Sequence, residues 1–500
     1  MELTAFSPLL LAALGLLLVV LALDAWIRHR RQAKKEQLEE APGPRAWPLL
    51  GSLHLLAGYE VPFAAFSKLA ERYGDVIRIF LGTQRCIVVN GFSNIKEVLI
   101  TRGNEFDGRP NFARIHQLFC GDKQNSLAFC DWSDVQKLRR EMLQSHTFPR
   151  AFSSRFNQLD SFISLETSEL TSRIDAAAGQ PIAIKPEIQH AVANLFTSYF
   201  CSKRFDRYDP DFNSFLAKYD SIFYEVNQGC AADFLPWLMP FHSRQMTQWC
   251  EWIHSIRDFF RQKIVDERLT ARRSEIIDDT GDYVSALLDH IESEDPNRLL
   301  NFDTALFALE DIIGGHAALT NLLVKTLGFV AMHPEIQQRV KEEADAATNN
   351  GMRPLCLADR NTMQFTDAVV FEAMRLISSP IVPHVANQDS SIAGYNVQKG
   401  SIIFLNNYEL NMSPKLWEEP EKFSPERFLI SGRVVKPEHF LPFGGGRRSC
   451  MGYKIVQYVA FATLGSLLQR YRMEPTEQYR VPVGNLALPS DTFNFRFIPY

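Results

Sequence analysis

The stretch Phe443-Gly444-Gly445-Gly446-Arg447-Arg448-Ser449-Cys450-Met451-Gly452 ends a glycine-rich curl on one cysteine and leads into an apolar helix beginning near Tyr453. It meets the pattern Phe-x-x-Gly-x-Arg-x-Cys-x-Gly at every fixed position. A thiolate that binds iron needs backbone amides around its sulfur to set the metal's potential, and glycines let the chain curl tightly enough to supply them. Gly446 and Gly452 stand where that closeness is needed. Phe443 is placed to shield the sulfur from water, and Arg448, two residues before Cys450, to pair with a haem propionate. A glycine-rich turn with an incidental cysteine would not meet all of these positions at once.

With two segments upstream, this loop resembles the cytochrome P450 superfamily, and the resemblance covers nearly the whole chain. Glu372-Ala-Met-Arg375, an i, i+3 pair on a predicted helix about 75 residues before the cysteine loop, is similar to the family's Glu-x-x-Arg. Pro425-Glu426-Arg427-Phe428 is similar to the segment that completes its charge cluster. The resemblance implies a buried network of Glu372, Arg375 and Arg427. It implies haem b, iron protoporphyrin IX, with Cys450 as the axial thiolate. Arg139, in Lys137-Leu-Arg139-Arg140, is similar to the helix arginine that binds a propionate, and His384 and Arg109 are further candidates for that role. The family's usual tryptophan four residues before the helix arginine is Val135 here, with Trp132 three residues earlier.

Composition fits a large globular body. Of 500 residues 46% are apolar and 12% aromatic, and no repeat, low-complexity stretch or Gly/Ser-rich linker follows residue 52. A net charge of −5, from 53 basic and 58 acidic residues, offers no basic stripe for a phosphate backbone, so no nucleic-acid partner is expected. Eight irregularly spaced cysteines suggest neither a disulfide framework nor a CxxC zinc site, and seven read as reduced thiols.

Residues Leu3 to Leu23 carry no charge and, as a helix, extend roughly 31 Å, enough to cross a bilayer's hydrocarbon core. Glu2 precedes the run and Arg28, Arg30, Arg31, Lys34 and Lys35 follow it, which predicts a single-pass anchor with the rest of the chain in the cytoplasm. A cleaved signal peptide would have a shorter apolar run and a basic leading end. Ala-Pro-Gly-Pro-Arg-Ala-Trp-Pro, residues 41–48, forbids helix and predicts a stiff connector. The expected organisation is an anchor over 1–27, a basic and proline-rich linker over 28–52, and one catalytic domain over 53–500.

In the body, Val76 to Phe80 and Cys86 to Val89 are β-branched runs around a turn, and Gly394 to Leu405 carries a second turn at Lys399-Gly400. Apolar residues at helical spacing predict helices over about 152–175, 185–202, 245–270, 303–330, 334–348 and 364–377. The expected fold is mainly α with a small β-sheet part, the cytochrome P450 fold behind one transmembrane helix.

Counted back from His333-Pro334, the family's oxygen-activating motif, Ala/Gly-Gly-x-acid-Thr, falls on Gly314-Gly315-His316-Ala317-Ala318, with alanine in place of both acid and alcohol. Two mid-helix glycines cost roughly 1 kcal/mol each relative to alanine, and close approach to haem and oxygen or close helix packing would compensate. In the family the acid and alcohol relay protons. At about 100° per residue, His316 and Thr320 lie roughly 200° from Ala318 and should face away from the haem. Glu310, Gly314 and Ala318 are spaced by four, so Glu310 is expected to line the pocket above the iron, relaying protons or binding a substrate hydroxyl.

The resemblance implies a membrane-associated monooxygenase that takes electrons from an NADPH-dependent flavoprotein reductase and oxidises an apolar small-molecule substrate. Lys137, Arg140, Arg447 and Lys454 are candidates for a basic docking patch. The Gly-Gly-His-Ala-Ala element, Asp131-Trp-Ser-Asp and Cys-Met-Gly-Tyr-Lys resemble the Spook and Spookier group of arthropod enzymes. That likeness implies an early step of ecdysteroid synthesis, on a sterol such as 7-dehydrocholesterol, in the endoplasmic reticulum membrane. A haem-thiolate isomerase or dehydratase needing no dioxygen, and a non-catalytic haem sensor or carrier, are the alternatives.

Overall fold

The periodic stretches fold as helices. Ser154–Ala176, Ile184–Cys201, Ser243–Phe260, Phe302–Ala331, Pro334–Thr348 and Gln364–Ile377 lie where apolar spacing places them, in a computed structural model that describes residues 38–274, 281–293 and 299–500. Their ends follow local chemistry. Asn301 and Thr304 form a reciprocal capping box before the longest helix, and Pro334 opens the next where a missing amide costs nothing. Ser378, in the left-handed region at φ 46°, stops Gln364–Ile377.

Phe302–Ala331, the central helix, is apolar on nearly all sides and packs along Ile184–Cys201. Among the described residues it alone is long and apolar enough to cross a bilayer, yet 89% of its most apolar window is buried inside the protein. It is a core helix. The main cluster around it joins residues from Leu143 to Phe497, and each fully buried Leu or Phe there contributes about 1.5–3 kcal/mol. The predicted anchor lies outside the described residues.

The strands form small sheets. Val76–Leu81 and Gln84–Val89 make the expected antiparallel hairpin, and Ile402–Leu405 adds parallel to Gln84–Val89 with His384–Val385 at its far side. The turn at Lys399-Gly400 differs from a hairpin. Tyr395–Val397 pairs with Ser390–Ile392 and Glu39–Glu40 in another sheet, so Gly400, at φ 82°, carries the chain from one sheet to the next. Turn residues encode a reversal but not the strand that follows as partner.

The expected linker is corrected by the structure from Glu39 onward. Glu39–Glu40 is a paired strand, Ala41 and Ser52 are 1% exposed, and the Arg78 amide donates to the Pro42 carbonyl at 2.8 Å. A Cβ on Gly43 would lie 1.8 Å from the Arg78 carbonyl oxygen, so this glycine is what lets the segment press against the sheet.

The C-terminal segment is held by two buried lysines. Lys325 Nζ donates to the carbonyls of Pro482 (2.9 Å) and Asn485, and Lys185 Nζ donates to the Leu488 carbonyl (2.7 Å) while pairing with Asp220 (2.7 Å). Asn321 Oδ1 accepts from the Leu488 amide at 2.8 Å. The final strand, Asn494–Pro499, pairs with Tyr471–Pro475 and Ile182–Ala183.

Candidate active site

The cysteine loop is built on glycine geometry. Gly444 and Gly446 sit at φ 68° and 63°, and a Cβ on Gly446 would lie 2.0 Å from the Leu99 carbonyl oxygen. The Cys450 amide donates to the Phe443 carbonyl at 3.0 Å, closing the loop, and the Phe443 ring packs on Tyr453. Gly452 caps helix Tyr453–Arg470, and Arg140 Nη2 donates to the Ser449 carbonyl at 2.7 Å. Cys450 has accessible surface although protein surrounds it, because its sulfur faces an interior cleft. Burial pushes its thiol up, while the Gly452 amide and the Arg140 charge pull it down.

Beside the loop lies a buried group of cations with too few anions. Arg109 donates through Nε to the Ala128 carbonyl (2.9 Å) and through Nη1 to the Pro383 carbonyl (3.2 Å). Burial, reinforced by the neighbouring Arg448 charge, lowers it to about 9. Arg448 donates to the carbonyls of Asp107 (2.6 Å) and Cys130 (2.7 Å), leaving Nη1 buried without a partner among the described residues. The Asp107 carboxylate is already taken by Arg447 at 2.9 Å. His384, buried, donates from Nδ1 to the Phe106 carbonyl at 2.7 Å, and burial together with Arg109 holds it neutral. Clustered cations and an orphaned guanidinium nitrogen call for anionic oxygen, which the two propionates of haem b would supply. The residues fit that group.

Glu372, Arg375 and Arg427 come together. Arg375 holds both oxygens of Glu372 at 2.7 and 2.8 Å, both side chains at 0% exposure, and Arg427 Nε reaches Oε1 at 3.0 Å. Arg375 also donates to the carbonyls of Asn411 and Pro420, each at 2.7 Å, tying the helix to the chain before the cysteine loop.

On the central helix, Asp311, Gly315 and Ala318 keep accessible surface amid buried neighbours, so this face borders the cleft. Asp311 Oδ2 accepts from the Leu127 amide (2.6 Å) and the Ser126 hydroxyl (3.0 Å). Burial pushes it up to about 6 against those donors and Arg139. Glu310 is buried at 8% exposure, with Oε1 3.8 Å from Arg257 Nε and without a hydrogen-bond partner for that oxygen among the described residues. Burial pushes it up to about 8 against the pull of Arg257. A surface glutamate it is not.

A cytochrome P450 family model matches residues 41–496. The chain is a member of the cytochrome P450 family. It is 40% identical over 503 residues to Cytochrome P450 307a1 of Drosophila melanogaster, of the Spook group, covering 95% of this chain and 91% of that one. It is 30% identical to the Steroid 17-alpha-hydroxylase/17,20 lyase of Rana dybowskii (87% and 85% covered) and 27% identical to human Cytochrome P450 1A1 (95% and 94% covered). This P450 is a monooxygenase whose cofactor is haem b with cysteine thiolate ligation. Bound, the haem supplies the dioxygen and electron-transfer chemistry, and the protein supplies shape, protons and charge.

Several expectations are corrected in the P450. Of the two reasons weighed for the double glycine, close helix packing is visible at Gly314, where a Cβ would lie 1.6 Å from the Tyr219 hydroxyl, while one at Gly315, which keeps accessible surface, would lie 3.2 Å from the Phe196 ring. The missing side chains admit helices Pro210–Val226 and Ile184–Cys201. Arg139 is occupied, its Nη1 and Nη2 donating to the carbonyls of Asn125 and Gln124 at 2.8 Å, which leaves only a buried Nε. Trp132 lies beneath the guanidinium groups of Arg447 and Arg448. Arg140 and Arg447 are held by the cysteine loop and Asp107, so the docking patch keeps only Lys137 and Lys454 as uncommitted to that loop. His316, expected to face away from Ala318, is buried against Phe215 and Tyr219.

Tyr219, Arg257 and Asp311 escaped sequence reasoning. The first two reach the site from remote helices. Asp311 left a signal, since seven residues at about 100° put it within roughly 20° of Ala318, against about 80° for Glu310.

Proposed function

We propose that this P450 is a membrane-bound monooxygenase acting on a sterol in an early step of ecdysteroid synthesis. Cys450 is its axial thiolate, and Arg109, His384 and Arg448 hold the propionates. Electrons come from NADPH through a flavoprotein reductase, and the catalytic body stands on the cytoplasmic side of the endoplasmic reticulum. The observation carrying this is 40% identity, over 95% of the chain, with Cytochrome P450 307a1. The site agrees with an oxygenated lipid. Glu310 near neutrality is largely a protonated donor, and beside Arg257 it suits a hydroxyl on an otherwise apolar ligand.

Surface features support membrane association. Trp47, Leu49 and Leu50 are exposed, as are Trp237 and Phe241, and Gly82, which donates to the Leu50 carbonyl and abuts the Phe234 backbone, ties the first group to the chain just ahead of the second.

Full-length protein in microsomes with reductase, NADPH, 7-dehydrocholesterol and labelled dioxygen is expected to give one labelled oxygen per product, read by mass spectrometry. Unlabelled product formed without NADPH would instead establish the isomerase or dehydratase that alanines at 317 and 318 favour.

A further inference from the structure

We infer that Asp311, rather than the motif positions occupied by Ala317 and Ala318, passes protons to the reaction cleft of this P450. The assignment rests on the monooxygenase function proposed above. That reaction puts one oxygen atom of dioxygen into a substrate C–H bond. It releases the other as water with two electrons from NADPH and two protons, one from NADPH oxidation and one from solvent. Some group must carry those protons into a site where both usual side chains are alanine.

Geometry singles out Asp311. It shares the accessible face of the central helix with Gly315 and Ala318, at i, i+4 and i+7, about 10 Å along the axis from Ala318. That is a span for about three hydrogen-bonded waters. Its Oδ2 is fixed by Leu127 and Ser126, the Ala128 amide also favours its anion, and the residue keeps accessible surface on the face it shares with Gly315 and Ala318. The loop carrying Ser126 reaches bulk water at Gln124, so reprotonation has a short route.

The charged and titratable groups around Asp311 come from every element packed on it. Arg139, from Asp134–Thr147, favours its anion, while Cys130 from the preceding loop, Glu310 on its own helix, and Tyr219 and Tyr283 from the facing helices are neutral or raised by burial. One cation against so much apolar cover holds the carboxyl close to neutral pH, where a proton is both held and released. Glu310 faces Arg257 and serves ligand binding instead.

Two measurements on the full-length holoprotein decide the matter. Infrared difference spectra of the reduced protein with and without carbon monoxide should contain a carboxyl band that disappears in Asp311→Asn and returns, displaced, in Asp311→Glu. No band, or one unaffected by Asp311→Asn, overturns the assignment without touching the proposed function. In turnover with 7-dehydrocholesterol, Asp311→Asn keeps an acceptor for Leu127 and Ser126, so melting temperature and the substrate-induced spectral shift should hold. Product per NADPH should fall at least about tenfold as peroxide rises, and Asp311→Glu should recover part. If coupling falls only in step with melting temperature, Asp311 is a loop latch and the proposal fails. Product independent of NADPH in the wild type would remove the monooxygenase function itself, and the assignment with it.

Discussion

Glu310 shows how one side chain can set a pH dependence for the whole fold. Burial raises its folded pKa to about 8, above the usual glutamate value of 4.5, so the folded state binds more protons than the unfolded state between those limits. Stability is therefore fully present below about 4.5 and is lost as pH rises through about 8. Glu310→Gln, which mimics the neutral acid, should remove that slope. Thermal melts should show the variant gaining on the wild type by up to a few kcal/mol at pH 8.5 and not at pH 5. Equal differences at both pH values would show that Glu310 does not titrate in that window. Sequence alone carried the position of Glu310 but not its surroundings, because Arg257 comes from a helix some fifty residues away and burial is a property of the assembled core. The cysteine loop was legible for the opposite reason, since its glycines and Cys450 act through backbone geometry within ten residues.

At the scale of elements, helix Gln364–Ile377 is fastened by charge in a place water does not reach. Glu372 is the shared acceptor of Arg375, Arg427 and the Ser424 amide. Glu372→Ala would leave the buried Arg375 and the partly exposed Arg427 without their anion, and chemical denaturation should report a loss of about 3–5 kcal/mol, with haem content falling in parallel. A loss under about 1 kcal/mol would mean that the carbonyls of Asn411 and Pro420 suffice for Arg375. The helices themselves were legible from 3.6-residue periodicity, and their observed bounds differ from expectation mostly by one or two residues. Strand pairing was less so. Nothing local to Lys399-Gly400 says that Ile402–Leu405 will align beside Gln84–Val89, a partner more than 300 positions away. The double glycine was legible as close approach, but what approaches, Tyr219 and Phe196, is set by the crossing of three helices.

The whole molecule depends on its two ends. Because Glu39–Glu40 is a paired strand and Ala41, Gly51 and Ser52 are buried, removing residues 1–37 should leave a folded, haem-binding protein. Removing residues 1–52 should expose the Arg78 and Tyr395 strand edges and lower the melting temperature by several degrees, measured side by side. Similar melting temperatures for both would restore the linker expected from proline content, which could not reveal that Gly43 lets the backbone seat itself. The opposite end has a bearing on biosynthesis. Lys185 and Lys325 lie in the middle of the chain, but the carbonyls that hold them belong to residues 482–489, and the last strand closes behind them at Asn494–Pro499. A nascent chain therefore carries two cations with no finished place to go until residues 482–489 have been made. A premature stop ahead of residue 482 would leave both lysines without the carbonyls that hold them, loosening the helical body far from the point of truncation.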